Sequence, residues 1–174
     1  MDSQDHVCAR CAEQHGSCCT LEPGLEEYCF PLSAAERAAM QAAGAKAEHF
    51  HREANTPAFV DNLCRLFPGE EEHIRALFPG QGFHHRVGIS PQGACMLLGA
   101  AGCLLPRNAR PLYCRIYPFW IQNGRQLYFD FCRCQAQLEA GGGAGLLKRL
   151  GMTPEDVRHT YQELRRAWNL PEHT

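Results

Sequence analysis

Residues 110–134 read RPLYCRIYPFWIQNGRQLYFDFCRC, and this stretch carries the strongest local structural signal in the chain. Asn123-Gly124 separates two apolar and aromatic runs, 116–122 and 126–131, and an Asn-Gly pair in that position is typical of a tight β-hairpin. The stretch also carries cysteines at positions 114, 132 and 134. Because turns let thiols converge without burying unpaired backbone, the stretch predicts both a small antiparallel sheet and a place for metal ligands.

Helical patterns lie on both sides of the predicted hairpin. Before it, helices are expected at 33–43, from about 56 to 67, and at 70–78. The first of these begins with Ser33 as N-cap and Glu36 in the capping-box position. After the hairpin, helices are expected at 146–150 and at 153–168. The last one begins at Thr153, with Asp156 closing a capping box.

The remaining segments give weaker signals. Residues 83–89 partly alternate and predict a strand, whereas residues 45–57 are expected to form a loop or a continued helix. The first 30 residues are rich in cysteine and are expected to be irregular. The predicted fold class is α+β, with short helices around a small antiparallel hairpin or sheet and a cysteine-liganded metal core.

Length and composition limit the classes of protein to which the chain can belong. The chain has 174 residues, 45% hydrophobic and 21% charged, with a formal net charge of −2. This favours a single domain over residues 1–174, excludes a fully disordered chain and gives no basic footprint for nucleic acid. The chain has no long apolar run for a membrane span, and its polar, acidic start lacks the features of a secretory signal. We therefore expect a cytoplasmic protein with neither nucleic acid nor membrane as a partner.

The cysteine content is unusually high for a chain whose composition is otherwise ordinary. Eleven cysteines occur, at positions 8, 11, 18, 19, 29, 64, 95, 103, 114, 132 and 134. An odd number without a secretory signal argues against a disulfide framework. Free thiols at close spacing are then expected to be metal ligands, cluster ligands or redox centres.

The cysteines form two groups separated by a helical insert at 33–80. The first group, 8–19, reads Cys8-x2-Cys11-x6-Cys18-Cys19, and the x2 spacing lets two thiolates bind one metal. Adjacent cysteines normally point apart, so Cys18 and Cys19 are expected to serve different sites or edges. The second group spans 95–134 and contains Cys95, Cys103, Cys114, Cys132 and Cys134.

Two arginines flank Cys114 in the second group. Arg110 and Arg115 are candidates to offset the surplus negative charge of four thiolates around a metal. The alternative interpretation is that both arginines form ordinary salt bridges.

The joint pattern resembles the YkgJ-like cysteine-cluster family, which is known as a zinc- or iron-chelating domain and is sometimes described as an Fe–S oxidoreductase. The matching motifs are Cys8-x2-Cys11, Cys18-Cys19, Cys95-x2-Leu, Gly-Cys103, Arg110-Pro-x2-Cys114-Arg115-x-Tyr-Pro-Phe and a late cysteine. The resemblance covers residues 8–134, and a similar cysteine pattern occurs in flagellin lysine methylases. The six residues between Cys11 and Cys18 exceed the usual family spacing, which leaves open whether Cys18 or Cys19 faces the metal.

The resemblance implies a set of eight ligands: Cys8, Cys11, Cys18, Cys19, Cys95, Cys103, Cys114 and Cys132. Eight thiolates suit two four-cysteine sites, or one cluster with additional structural thiols. Cys134 is an alternative to Cys132 as the late ligand. Cys64 lies on an apolar helix face and is expected to be a buried thiol, while Cys29 is a weaker ligand candidate.

The pattern favours an Fe–S cluster over zinc without deciding between them. Only one Cys-x2-Cys pair is present, and the scattered thiolates lie among apolar residues that suit a buried cluster: Leu97, Leu98, Ile116, Phe119, Trp120, Phe129 and Phe131. The expected function is electron transfer, cluster handling or metal chelation with a redox or other protein partner. The alternatives are a zinc-stabilised interaction module and a cluster-dependent enzyme related to the flagellin lysine methylases.

Histidines are weaker candidates for the same chemistry. His84-His85 is expected to be an exposed pair at a strand end, and the spacing of His49 and His51 does not place them on one helix face. His6 or His15 could replace a thiolate in the first group. The chain lacks a dinucleotide-binding motif, a P-loop and a serine nucleophile elbow, so nucleotide and serine-hydrolase chemistry has no support.

Overall fold

Short helices and three small antiparallel sheets make up the protein, so the predicted α+β class is confirmed. The computed structural model describes residues 7–13, 18–131 and 133–171. Its helices are α1 (Val7–Glu13), α2 (Ala34–Ala42), α3 (Pro57–Leu66), α4 (Glu71–Leu77), α5 (Leu112–Ile116), α6 (Gln135–Ala140), α7 (Gly143–Leu150) and α8 (Pro154–Ala167). Its strands are β1 (Phe50–Ala54), β2 (Phe83–Val87), β3 (Leu98–Gly99), β4 (Gly102–Cys103), β5 (Phe119–Gln122) and β6 (Arg125–Tyr128).

The predicted helix starts are confirmed by their caps. The Ser33 hydroxyl accepts from the Glu36 N–H, the Thr56 hydroxyl accepts from the Phe59 N–H, and Thr153 forms a capping box with Asp156. Each cap satisfies N–H groups that the first turn of a helix leaves unpaired. Local sequence therefore fixes the beginnings of α2, α3 and α8.

The expectation of a loop or helix at 45–57 is wrong, because residues 50–54 form β1. This strand pairs with β2 along its whole length, from Phe50 opposite Val87 to Ala54 opposite Phe83. Side chains reinforce the pair, since Arg86 forms an ion pair with Glu53 and Arg52 lies 3.7 Å above the ring of Phe83. The strand forms because of a partner about 30 residues away, which its own sequence does not reveal.

The hairpin around Asn123-Gly124 is confirmed, but its first strand begins later than predicted. Asn123 and Gly124 have φ angles of 50° and 71°, as a tight hairpin turn between β5 and β6 requires. Residue 116, where the strand was predicted to begin, is instead the last residue of α5. The Leu112 N–H at the start of α5 donates to the buried Glu36 carboxylate at 2.9 Å, so a distant acceptor supports a helix that local sequence does not announce.

The expectation of an irregular N-terminus is wrong for residues 7–13, whereas residues 18–30 are irregular apart from a 3-10 turn at Glu26–Tyr28 and a bridge at Thr20. Residues 7–13 form α1, whose Val7 and Ala9 are buried, and α1 packs against α6, α7 and β4. Two further differences from the predicted helices lie near Gly141-Gly142-Gly143. Helix α6, just before these glycines, was not predicted, and α7 begins at Gly143 rather than at residue 146. Packing on neighbouring elements stabilises these short helices more than their own propensity does.

Two apolar clusters form the interior. The larger one is centred on Trp120 and includes residues of α3, α5, α7 and α8, while the smaller one contains Leu32, Met40, Ala45, Leu97 and Leu105. A buried ion pair joins Arg165 of α8 to Glu70 at 2.8 Å. Among the described residues, the helices are all too short or too polar to cross a membrane.

Candidate functional site

The two cysteine groups meet through a short backbone pairing between residues 19–21 and 93–95. The Cys95 N–H donates to the Cys19 carbonyl at 2.7 Å, and the Leu21 N–H donates to the Gly93 carbonyl at 2.8 Å. Gly93 has a φ of +84°, and a Cβ atom there would collide with the Leu21 carbonyl oxygen. Only glycine therefore allows the approach that sets Cys19 beside Cys95.

Cys95 lies in an isolated bridge with Ile89 and Cys103 is the last residue of β4, and in both cases the backbone that follows faces the sulfur. The Leu97 N–H donates to the Cys95 thiol and the Leu105 N–H donates to the Cys103 thiol, each from two residues further along the chain. Each bond lowers the pKa of its thiol, against the larger effect of burial, which raises it. Hydrogen bonds from backbone N–H to sulfur stabilise thiolates at metal and cluster sites.

Cys8 and Cys11 lie on α1 rather than in a loop. Their spacing of three places both on one side of the helix, with Cys11 buried and Cys8 exposed. The helix contacts β4 closely, because a Cβ atom on Gly102 would lie 3.9 Å from the Cys8 carbonyl oxygen. This contact sets the first cysteine pair beside the strand that carries Cys103.

The side chains of Cys18 and Cys19 lie together rather than apart, and which sites the two thiols serve stays a prediction. The Cys18 thiol donates a hydrogen bond to Cys19, and this bond is the largest cause of its raised pKa. Divergence of adjacent side chains is a property of extended strands, whereas these two residues lie in a turn. Both sulfurs therefore belong to the same neighbourhood.

Cys114, at the centre of α5, connects the two groups. Burial raises the pKa of its thiol well above the ordinary value, and Cys19, Cys95 and Cys103 raise it further. The residue nevertheless has exposed surface.

The same pattern of raised pKa values extends through the group. Burial raises the pKa of Cys8 to about 11 and that of Cys95 to about 12, with neighbouring thiols adding to the effect in both cases. Crowded thiols of this kind stay protonated unless a cation compensates their charge.

The two candidate arginines have different surroundings. Arg110 lowers the pKa of both Cys8 and Cys103, and its Nε donates to the Leu105 carbonyl at 3.0 Å. Arg115 forms an ion pair with Glu163 of α8 at 3.2 Å, which is the structural role foreseen as its alternative.

The remaining cysteines divide into a core thiol and neighbours of the site. Cys64 is buried on α3 in the larger apolar cluster, as expected. Cys29 is half-buried, with burial raising its pKa to about 11, and it acts on the thiol of Cys95. Cys134 precedes α6 and raises the pKa of Cys8. Cys132, the eighth predicted ligand, lies outside the described residues, as do His6 and His15.

Sequence reasoning missed the part played by Glu36. Its capping-box role was expected, but its second carboxylate oxygen reaches across 76 positions to the N-terminus of α5, two residues before Cys114. Tyr113 and Tyr117 are two further residues near the thiols that the cysteine pattern does not indicate. Burial raises the pKa of both phenols, and Cys18 acts on both of them, so they border the thiol group as well.

The expectation of an exposed His84-His85 pair is wrong for His84. Its side chain is buried, its Nδ1 lies 2.9 Å from Asn55 Oδ1, and its ring stacks on Phe59 at 3.7 Å. Alternation along β2 places His84 on the core side and leaves His85 half-buried.

Within residues 7–13, 18–131 and 133–171, no group of three or more His, Cys, Asp or Glu side chains is arranged to hold a metal ion. The structure thus brings the thiols into one neighbourhood without setting them in a coordination geometry. Comparison of the chain with family models, with curated proteins and with solved structures gave no match.

Proposed function

We propose that this protein binds a metal centre through its cysteines, with an Fe–S cluster as the preferred centre, and that it serves in electron transfer, cluster handling or metal chelation. The observation that carries the proposal is the position of Cys114. Thiols from both sequence groups act on it, although Cys19 and Cys114 are far apart in the chain. Thiols gathered in this way can ionise together only when a cation compensates their charge, and a bound metal ion supplies that compensation.

The donor set fits a metal in its chemistry. The thiols of Cys95 and Cys103 each accept a backbone N–H, and Arg110 lies close enough to affect Cys8 and Cys103. Hydrogen bonds and a nearby guanidinium are the partners that stabilise thiolate ligands. We expect these side chains to rotate toward a metal on binding, since the described residues do not form a ready coordination group.

The number and cover of the thiols favour iron–sulfur chemistry. Cys8, Cys11, Cys18, Cys19, Cys95, Cys103, Cys114 and Cys132 supply more ligands than one zinc takes. Aromatic side chains border them, with Tyr113 stacked on Phe30 at 4.7 Å. Apolar and aromatic side chains beside a cluster are among the features that tune its potential. The family resemblance of the cysteine pattern points the same way.

A zinc-stabilised interaction module is the second candidate function. Cys19, Cys95, Cys103 and Cys114 act on one another, and four cysteines are the complete ligand set of a structural zinc site. In that case the metal would hold the turn at 18–19, the β3–β4 turn and α5 together, and the other thiols would be structural.

Anaerobic purification followed by iron, sulfide and zinc analysis separates the two functions. A brown protein with about four or about eight irons, and acid-labile sulfide in equal amount, is the expected result. Zinc at one or two equivalents without sulfide would support the interaction module instead. A protein with neither metal would overturn both.

Cysteine variants test the ligand assignment. Cys114→Ser and Cys11→Ser should each lose metal and lower the melting temperature, because the binding free energy of such a site is also folding free energy. Cys64→Ala is the matched control, since Cys64 is buried in the apolar cluster and should keep its metal. Full metal content in both serine variants would show that the assignment is wrong.

A further inference from the structure

An exposed surface with apolar and positive character lies beside Cys8. Helix α1, which carries the exposed Cys8, packs against both β4 and α6. Leu104 directly follows β4 and Leu138 lies on α6, and these leucines are 64% and 67% exposed. They are the most exposed large apolar side chains among the described residues, and the strand before Leu104 and the helix that carries Leu138 both contact α1.

Positive charge accompanies these leucines. Arg107 and Arg110 follow Leu104 within six residues of the chain, Arg110 donates to the Leu105 carbonyl at 3.0 Å, and both guanidiniums interact with the thiol of Cys8. Among the described residues, neither Arg107 nor Arg110 forms an ion pair with a carboxylate. Asp156 also acts on Arg107, but its carboxylate is held 2.8 Å from the Thr153 N–H in the cap of α8.

This concentration of positive charge is local. The whole chain has a formal net charge of −2, so an approaching partner meets an attractive field for anions here and not over the molecule as a whole. Leucines beside guanidiniums that form no ion pair offer a partner protein apolar surface to bury and an electrostatic attraction that guides its approach. Transient redox complexes, which bury less than about 1,200 Å² of surface, combine these two contributions.

We propose that Leu104, Arg107, Arg110 and Leu138 form a docking surface, hereafter the Cys8 surface, for an acidic electron-carrier protein of the ferredoxin type. The proposal rests on the proposed metal centre, because docking beside Cys8 brings a carrier close to the thiols that would hold that centre. An acidic carrier places carboxylates against the two arginines and an apolar patch against the leucines.

The test measures binding directly, using the purified full-length protein and an oxidised, acidic plant-type ferredoxin as the probe. Calorimetric titration at low ionic strength should show a dissociation constant that rises about tenfold in Arg107→Glu and about threefold in Leu138→Ala. Added salt should weaken binding by the parent protein more than binding by Arg107→Glu.

Arg125→Glu is the matched control, because it makes the same change in net charge on β6, at the tip of the hairpin. Its dissociation constant should stay within about twofold of the parent value, since a charge far from the interface acts only through the screened field. Equal weakening by Arg107→Glu and Arg125→Glu would overturn the Cys8 surface, as would absence of salt-dependent binding by the parent.

Metal analysis of the same samples keeps the two proposals apart. Iron and sulfide in a parent that does not bind ferredoxin would overturn the docking surface and leave the metal centre standing. Ferredoxin binding that depends on Arg107, by a protein without iron, would overturn the Fe–S centre while supporting the surface. Unchanged metal content in Arg107→Glu shows that lost binding comes from the surface itself.

Discussion

At the scale of single residues, Glu36 makes the most consequential contacts near the site. One carboxylate oxygen accepts from the Ser33 N–H at 2.9 Å and the Ser33 hydroxyl at 2.7 Å, and the other accepts from the Leu112 N–H at 2.9 Å. The residue is buried, so these bonds replace water entirely. One side chain thereby supports the beginnings of both α2 and α5.

Glu36→Ala should lower the free energy of unfolding by about 2 to 3 kcal/mol, because it leaves buried N–H groups of two helices without an acceptor. Glu36→Gln should cost less, since the amide oxygen can still accept one of these bonds. Urea denaturation of both variants measures the effect. Equal stability of Glu36→Ala and the parent would show that the contact to α5 contributes nothing.

His84 introduces a pH dependence into the stability of the fold. Burial lowers its pKa from 6.5 to about 4, and its Nε2 has no partner among the described residues. In the unfolded chain the imidazole takes up a proton near pH 6.5, whereas in the folded chain it stays neutral until about pH 4. Its contribution is therefore fully present above pH 6.5 and is lost as the pH falls toward 4.

His84→Gln should flatten this dependence by an amount on the order of 2 kcal/mol between pH 6.5 and pH 4. Melting temperatures of parent and variant across this range give the difference directly. His73→Gln, at an exposed position of α4, should keep the slope of the parent. A His84→Gln variant with the parental slope would contradict the assignment.

At the scale of elements, substitutions at two glycines with similar φ angles distinguish an effect on stability from an effect on assembly of the site. Gly93 has φ +84° in the pairing that joins Cys19 to Cys95, and Gly124 has φ +71° in the β5–β6 turn. Gly124→Ala should cost about 1 kcal/mol through backbone strain and keep its metal. Gly93→Ala adds a collision with the Leu21 carbonyl, so it should reduce metal content as well as melting temperature.

Metal quantification and thermal denaturation of the two variants, purified side by side, check this prediction. Equal metal content in both would mean that the pairing of 19–21 with 93–95 does not assemble the ligands.

Elements could be predicted where their cause is local. The caps at Ser33, Thr56 and Thr153 and the Asn123-Gly124 turn act within a few residues, and α2, α3, α8 and the hairpin follow from them. Helix α5 and strand β1 escaped prediction because they depend on distant partners. The start of α5 needs the Glu36 carboxylate, and β1 needs β2.

The same distinction governs the site. Sequence pointed to the cysteines themselves, since their residue type and clustering carry the signal. It did not reveal that Cys18 and Cys19 share one neighbourhood, because the turn that brings them together has no strong local motif. Nor did it find the second role of Glu36, which depends on an approach across 76 positions.

At the scale of the whole molecule, the ion pair between Arg165 and Glu70 connects two parts of the chain that are far apart in sequence. Two guanidinium N–H groups donate to the two carboxylate oxygens at 2.8 Å, Arg165 also donates to the Pro171 carbonyl, and the side chains are only 4% and 9% exposed. The pair connects the C-terminal end of α8 to the N-terminal end of α4. It thus holds the last helix against the middle of the chain.

Arg165→Leu should lower the free energy of unfolding by about 3 kcal/mol, because the Glu70 carboxylate would stay buried without its partner. Replacing both residues by leucine and methionine should recover much of that loss, since neither charge then remains. Chemical denaturation of the single and double variants measures the difference. A single variant that is no worse than the double would show that the buried charge carries no penalty.

The pairing of residues 19–21 with 93–95 also means that the two cysteine groups meet only late in synthesis of the chain. Cys8 leaves the ribosome roughly 90 residues before Cys95, the first cysteine of the second group, a delay of about 5 to 20 s at ordinary translation rates. The early thiols have no partners from the second group during that interval, and the long loop between the groups must close before they meet. Insertion of the proposed metal would therefore follow translation of α5, and cellular factors that shield nascent thiols would act on the first cysteine group before then.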